Sequence, residues 1–258
     1  MCPEDLRLCA CHIARRETQY SLADTAAHAP HGQMILPSHT THGGTQERGQ
    51  HMTEKVISVD LMRRSDAYTI ENFVPGKELM YRAADGVFRA YDGWEGKVTA
   101  IFAGGGNNGG DGYALAGILR KAGLDPVVFK VSDKLSEDGK YYHDIAAGLG
   151  VTMTDFTADT DLSEFDVIVD CILGTGFKGE VRGKAGEAIK AINSADAFVI
   201  SVDINSGMNG DTGEAQLAVK SDLTVSIGYY KQGLFKGDAD KYIGELTNAD
   251  IGIVLLEE

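Results

Sequence analysis

Three stretches of this 258-residue chain carry the residue types from which a binding or catalytic site is built. The first is Phe102-Ala-Gly-Gly-Gly-Asn-Asn-Gly-Gly-Asp-Gly-Tyr113, where Gly104, Gly106 and Gly109 satisfy the spacing G-x-G-x-x-G. A glycine turn between a strand and a helix presents free backbone N–H groups beside the positive end of the helix dipole, a setting that favours phosphate or another anion. No Lys-Ser/Thr pair follows, which excludes a P-loop, and Asn107, Asn108 and Asp111 bring oxygen-bearing side chains that a simple turn does not need. The spacing alone is weak in a chain with 32 glycines.

The second stretch, Asp166-Val-Ile-Val-Asp-Cys-Ile-Leu173, runs into Gly174-Thr-Gly-Phe-Lys-Gly-Glu-Val-Arg-Gly183. An unpaired carboxylate inside an apolar run is costly, so Asp170 needs a partner: a ligand at the carboxyl edge of a sheet, or neighbouring loop amides. Cys171 alternates to the opposite face as a core thiol. The third stretch is Ala197-Phe-Val-Ile-Ser-Val-Asp-Ile204, which ends in Asp203 and leads into Asn205-Ser-Gly-Met-Asn-Gly-Asp-Thr-Gly213.

These loops need elements to hold them. The apolar segment 97–103 predicts a strand before the glycine loop, and the pattern 113–122 predicts a helix closed by Gly123. Further strands are expected at 126–131, 151–156, 166–173, 197–204, 223–227 and 243–253. Helices are expected at about 137–147, capped by Ser136, and at 184–194. Residues 65–92 predict two more, the first capped by Ser65-Asp66 and the second following Pro75-Gly76. Strands alternating with helices over short links imply an α/β fold: a Rossmann-like, doubly wound, mostly parallel sheet in a three-layer αβα sandwich over residues 53–258. Three strands then deliver Asn, Asp and Ser to one sheet edge.

Residues 1–52 differ in kind. The first 51 residues hold six of the seven histidines and three of the four cysteines, with no sustained periodicity. They are expected to be a disordered leader or an expression remnant, with His51-Met52 resembling a cloning junction. Cys9-Ala-Cys11 with His12 falls short of a four-ligand zinc site, and Glu4, Asp5, Glu17 and Asp24 count against a transit peptide. The net charge of −14 argues against nucleic acid or an anionic membrane as partner. With Cys171 the only cysteine after the leader, no disulfide forms within the body, which points to a reducing, cytoplasmic compartment. His143, the body's one histidine, is expected on an exposed helix face.

Taken in order, Gly-Asn-Asn-Gly-Gly-Asp-Gly at 106–112, Val-Asp-Cys-Ile-Leu-Gly-Thr-Gly at 169–176, Asp-Ile-Asn-Ser-Gly at 203–207 and Asp-Thr-Gly at 211–213 resemble the YjeF N-terminal domain family. The resemblance covers about residues 58–253. Its enzymatic members are NAD(P)H-hydrate epimerases, so it implies a homodimer acting on hydrated NADH or NADPH with one potassium ion (K+) per site. It implies substrate contacts from Asn107, Asn108, Gly109, Gly110 and Asp111, from the loop Gly174, Thr175, Gly176, Phe177, Lys178, Gly179 and Glu180, and from Asp203. It implies potassium ligands at Asn108, Asp170 and Ser206. Asn205 stands where the family usually has proline, which is expected to loosen the loop carrying Ser206. The dehydratase domain that many bacterial members carry is not present here, so the partner activity is expected on another chain.

Epimerising a hemiaminal carbon needs proton transfer, and with no histidine near the loops a carboxylate must supply it; Asp170 is the expected general acid and base. Two other readings compete. An NAD-dependent oxidoreductase would use Asp133, placed after the second strand where a ribose-binding acid belongs. A non-catalytic nucleotide-binding or scaffold module of the same fold would be expected to lose Asn108, Asp170 and Ser206, all of which are present.

Overall fold

The computed structural model describes residues 55–257. The expectations for the leader at 1–52, including Cys9, Cys11 and His12, lie outside the described residues. In chain order the strands are β1 (Val56–Ile57), β2 (Thr99–Ala103), β3 (Val127–Lys130), β4 (Thr152–Asp155), β5 (Val167–Cys171), β6 (Phe198–Val202), β7 (Ser221–Ile227), β8 (Tyr230–Lys231) and β9 (Ile243–Ala249). The helices are α1 (Val59–Asn72), α2 (Gly76–Ala90), α3 (Asn107–Lys121), α4 (Glu137–Gly148), α5 (Gly183–Ser194) and the single turn α6 (Ala239–Tyr242).

Seven strands form one sheet in the order β4-β3-β2-β5-β6-β7-β9, and every neighbouring pair is parallel. Such a sheet must be covered on both faces, which is why β2, β5 and β6 are almost wholly buried apolar runs. Ile101, Val167, Val169, Cys171, Ile200 and Val202 pack on one face against α1 to α4. Ala100, Phe102, Ile168 and Val199 pack on the other against Ala188, Ile189 and Ile192 of α5. The chain moves outward in opposite directions from β2 and β5, so these neighbours form the switch point at which open α/β sheets bind ligands.

The first helix departs from expectation. Its cap is Ser58, whose hydroxyl accepts from the Leu61 N–H at 3.2 Å, so the helix begins seven residues before Ser65-Asp66. Ser65 is instead buried inside α1, where its hydroxyl accepts from the Leu256 N–H at 3.1 Å while Thr69 Oγ1 accepts from Val254 at 2.9 Å. Two buried hydroxyls thus satisfy the backbone of the C-terminal segment along the helix. That segment leaves the sheet after Ala249, so the last strand is shorter than 243–253. The parallel pairing of β1 with β8, Ile57 opposite Lys231, was not foreseen, because two-residue strands show no periodicity.

The loop after β6 is anchored rather than loosened by Asn205, which corrects the expectation drawn from the missing proline. Asn205 is fully buried, and Nδ2 lies 2.9–3.0 Å from the Val219 carbonyl, Ser221 Oγ and the Tyr242 carbonyl, while Oδ1 accepts from Thr224 Oγ1 at 2.8 Å. An amide has two protons for those three acceptors, so it tethers the loop to β7 and to α6 with none to spare. Asn205→Ala is expected to cost about 2 kcal/mol by leaving buried groups unpaired. Urea denaturation checks this, and an unchanged midpoint would show that the tether is dispensable.

Candidate active site

At the carboxyl ends of β2, β5 and β6, roofed by α1 and α2, lies a cavity of about 550 Å³. Val59, Met62, Ile70, Leu79, Met80 and Ala83 form an apolar wall. Asp66 of α1 interrupts that wall, and Asp138 of α4 lies at its margin; across from it stand Gly105, Gly106, Asn107 and Asn108 of the first loop and helix, Gly174 to Phe177 of the second loop, and the carboxylates Asp111 and Asp203. An apolar wall facing a few convergent polar groups is the usual make-up of a small-molecule site.

The first loop is shorter than its sequence suggests, because Gly106 caps α3 and Asn107 to Asp111 already belong to the helix. Glycine and asparagine are poor helix formers, but tertiary packing overrides that preference here. A methyl group on Gly104 would run into the Ile172 carbonyl, and one on Gly109 into the backbone of Gly104. Glycine therefore lets the start of α3 descend onto β2 and β5, with its unpaired N–H groups at the cavity floor.

Asp170 has no exposed surface. Strand alternation places it with Ile168 on the sheet face covered by α5, beside its register partners Phe102 and Ser201 and away from the cavity wall. Oδ1 accepts from the Ile172 N–H at 3.2 Å and from Ser206 Oγ at 2.5 Å; Oδ2 accepts from Ser201 Oγ at 3.0 Å and the Ser206 N–H at 2.9 Å. Burial raises this carboxyl above its ordinary value, opposed by the donors of Ser206, Ile172 and Ser201. The structure thus places Asp170, the expected proton-transferring group, behind the cavity and not among the residues that line it.

Next to it, Ser206 Oγ accepts from the Leu173 N–H at 2.8 Å and faces both Asp170 and the Leu173 carbonyl, 3.1 Å away, with one proton to give. Asn108 donates Nδ2 to the same Leu173 carbonyl at 3.0 Å, which leaves its buried Oδ1 without a partner. An orphaned amide oxygen beside a carboxylate, a hydroxyl and a carbonyl is a hard-oxygen donor set and fits an alkali cation. Among the described residues no group of three or more His, Cys, Asp or Glu side chains is placed to hold a metal.

Asp203 sits where β6 ends, at φ 68°, the one positive-φ non-glycine residue among those described. Its Oδ2 accepts from the Thr175 N–H at 3.3 Å, and its Oδ1 forms an ion pair with Lys231. Lys231 is 1% exposed and Asp203 16%. Nearby, burial pushes the Asp111 carboxyl well above the ordinary range, and the charges of Asp203 and Asp66 push it the same way. Burial also raises Asp66, with the charge of Asp203 adding to it and Lys231 opposing.

Of the expected contact residues, Asn107, Asn108, Asp111, Gly174, Thr175, Gly176, Phe177 and Asp203 line the cavity. Gly109 and Gly110 are buried beneath it, against Gly104 and Met80. Lys178, Gly179 and Glu180 are exposed beyond it, Glu180 paired with Arg182. Asp133 is exposed and His143 lies on α4 against Tyr113; neither lines the cavity, and Cys171 is buried under Gly112. Sequence reasoning missed the lining residues Arg63, Asp66 and Asp138, and Lys231 behind them. Asp66 had a signal, since it interrupts the i, i+4 stripe Met62, Asp66, Ile70 with a charge.

The raised carboxyls make the pH dependence of stability run downward. Between the ordinary carboxylate value of 3.8 and its raised folded value, Asp111 holds a proton in the native state that the unfolded chain has lost, so its contribution falls as pH rises through that window. Asp111→Asn is expected to flatten the decline in melting temperature above pH 4. An unchanged slope would show that Asp111 ionises normally.

A family model described as YjeF-related protein N-terminus matches residues 76–233, from α2 into the 3₁₀ turn that follows β8. The chain is 36% identical over 207 residues to an NAD(P)H-hydrate epimerase of Limosilactobacillus reuteri, a match spanning 77% of this chain and 96% of that protein. It is 35% identical over 209 residues to an NAD(P)H-hydrate epimerase of Oenococcus oeni, covering 99% of it. A bifunctional NAD(P)H-hydrate repair enzyme of Archaeoglobus fulgidus is 39% identical over 160 residues, which is 33% of its length. Among solved structures, yeast ynu0 aligns with a TM-score of 0.62 at 25% identity, over 75% of this chain and 87% of that one. The matched span carries the glycine start of α3, the buried Asp170 and the loop after β6, and with that agreement the chain belongs to the family of YjeF-related protein N-termini.

Proposed function

We propose that this chain is an NAD(P)H-hydrate epimerase, an isomerase that interconverts the R and S epimers of hydrated NADH and NADPH in nicotinamide nucleotide repair. One observation carries the reading: epimerases about a third identical to the chain are matched over nearly their whole length. The cavity suits the substrate. The N-terminus of α3 offers N–H groups to a pyrophosphate, and the wall of Met62, Leu79 and Met80 takes the faces of a ring.

Hydrated NADH bears a hydroxyl on the ring carbon next to nitrogen. Inversion there breaks either the carbon–nitrogen or the carbon–oxygen bond and remakes it on the other face. On the first route a base takes the hydroxyl proton and the ring nitrogen gains one; on the second an acid protonates the departing hydroxyl and a base takes a proton from the returning water. Either way one donor and one acceptor suffice and the proton count closes. The carboxylates lining the cavity are Asp66, Asp111, Asp138 and Asp203. Asp66, Asp111 and Asp203 feel one another's charge, and we assign proton transfer to these three rather than to Asp170.

Asn108, Asp170 and Ser206 would hold a potassium ion, with the orphaned Asn108 Oδ1 the oxygen that asks for it. Such an ion supplies a fixed positive charge with hard-oxygen preference. We further propose a homodimer, supported by the exposed apolar side chains Tyr68 and Ile70 of α1, Phe73 at its C-cap and Tyr81 of α2. The second repair step, a dehydration, belongs to a separate chain, and the cytoplasm is the proposed location. Among the described residues no helix is long and apolar enough to cross a membrane.

Incubation with one chromatographically separated epimer of hydrated NADH tests the function. The other epimer is expected to appear until the two reach equilibrium, with no net oxidation. Failure to interconvert them would contradict the reading, and steady oxidation would favour a dehydrogenase. Replacing potassium by a bulky organic cation is expected to slow the wild-type enzyme, and Asp170→Asn to remove that dependence; a variant with undiminished potassium activation would place the ion elsewhere.

A further inference from the structure

Among the described residues Lys231 is the one fully buried cation, and it pairs with a cavity carboxylate. It is 1% exposed, and its ammonium reaches the Ile227 carbonyl at 2.7 Å, Ser226 Oγ at 3.3 Å and Oδ1 of Asp203. A lysine has three protons and no acceptor, so each proton is spent and the head group has no freedom to turn. Burying an ammonium remains costly even after the surroundings relax, a cost that a methionine in the same space would avoid. Nothing in packing alone calls for a lysine here.

Its partner is equally constrained. A non-glycine residue with positive φ is held there by its surroundings, and such residues cluster where a side chain must be aimed. By strand alternation Asp203 would follow Ser201 to the α5 face. The turn at φ 68° breaks that alternation, and the pairing with Lys231 and with the Thr175 N–H keeps the carboxylate on the cavity wall. Lys231 also lies on β8, whose pairing with β1 sets the entry to α1 and so the position of Asp66 and Met62 on the roof.

Resting on the epimerase reading, we propose that Lys231 is a positioning residue of the reaction: its buried ammonium locks Asp203 in the left-handed conformation as the fixed proton acceptor for the hydroxyl of the hydrated nicotinamide ring. On carbon–nitrogen cleavage Asp203 takes the hydroxyl proton as the carbonyl forms, and a protonated neighbour, Asp111 or Asp66, gives one to the ring nitrogen. Reclosure on the other face returns both. Asp111 and Asp66 line the same cavity as Asp203 and burial raises both, which makes them the candidates for donor, while Lys231, outside the lining, offsets the charge of Asp203.

The test compares full-length wild type with Lys231→Met, Lys231→Arg, Asp203→Asn and Lys231→Met/Asp203→Asn, reading kcat, KM, the pH profile of kcat and melting temperature with one separated epimer. Lys231→Met and Asp203→Asn are each expected to lose about a hundredfold in kcat with KM within about threefold. The double variant, which buries no unpaired charge, is expected to lose no more than the worse single one. Lys231→Arg, which keeps the charge, is expected to recover part of the rate. Lys231→Met with wild-type kcat and pH profile overturns the proposal, as does a double variant whose loss is the product of the singles. If Lys231→Met does not fold, the double variant decides, and its failure to fold would make Lys231 purely structural and end the proposal. Wild-type protein without epimerisation would overturn the functional reading and this inference with it, whereas active wild type with indifferent variants overturns this inference alone.

Discussion

A carboxylate buried in a central parallel strand must be met by donors, and the demand of Asp170 shapes the site around it. With no exposed surface, an unpaired charge there would be prohibitive. Four donors from β6, the β5 loop and Ser206 answer it. Meeting them brings the loop after β6 across the end of β5 and fixes Ser206 over Leu173. Through the Leu173 carbonyl it also holds Asn108 at the start of α3. The glycines at 104 and 109 are the steric counterpart, since only a backbone without Cβ lets α3 come close enough to join this network.

That arrangement divides labour between the two faces of the sheet. Asp170 organises from the α5 face, while the cavity opens on the other side between the sheet edge and α1 and α2. The proposed chemistry then falls to the acids that line the cavity. Lys231 pairs with Asp203, while burial and the neighbouring acids raise Asp66 and Asp111, so carboxyls of unlike environment meet in one site. Carboxyls that differ in environment can serve as acid and base in one pocket.

Much of this was legible in the amino-acid order. Apolar runs marked the core strands, and the polar glycine loops after β2, β5 and β6 marked the functional edge, because a sheet covered on both faces leaves few other readings for such runs. Asp170 was correctly singled out as a buried charge in need of partners, but which face it used depended on a register of alternation that only the strand ends settle. The start of α3 was hidden because glycine and asparagine resemble a loop, and Lys231 because its meaning lies in partners of the folded state, Asp203 and the strand β1. Asn205 misled for a related reason: losing a proline does not loosen a loop when the amide that replaces it is buried and fully bonded.

The central claim is that the reaction takes place at the cavity carboxylates while Asp170 acts from behind the sheet edge. A crystal structure of the protein with an epimer of hydrated NADH bound in potassium buffer measures this most directly. The account predicts the ring hydroxyl within hydrogen-bonding distance of Asp203, the pyrophosphate at the start of α3, and Asp170 out of contact with the nucleotide. A ring hydroxyl bonded to Asp170, with Asp203 and Asp111 remote from the ring, would contradict it.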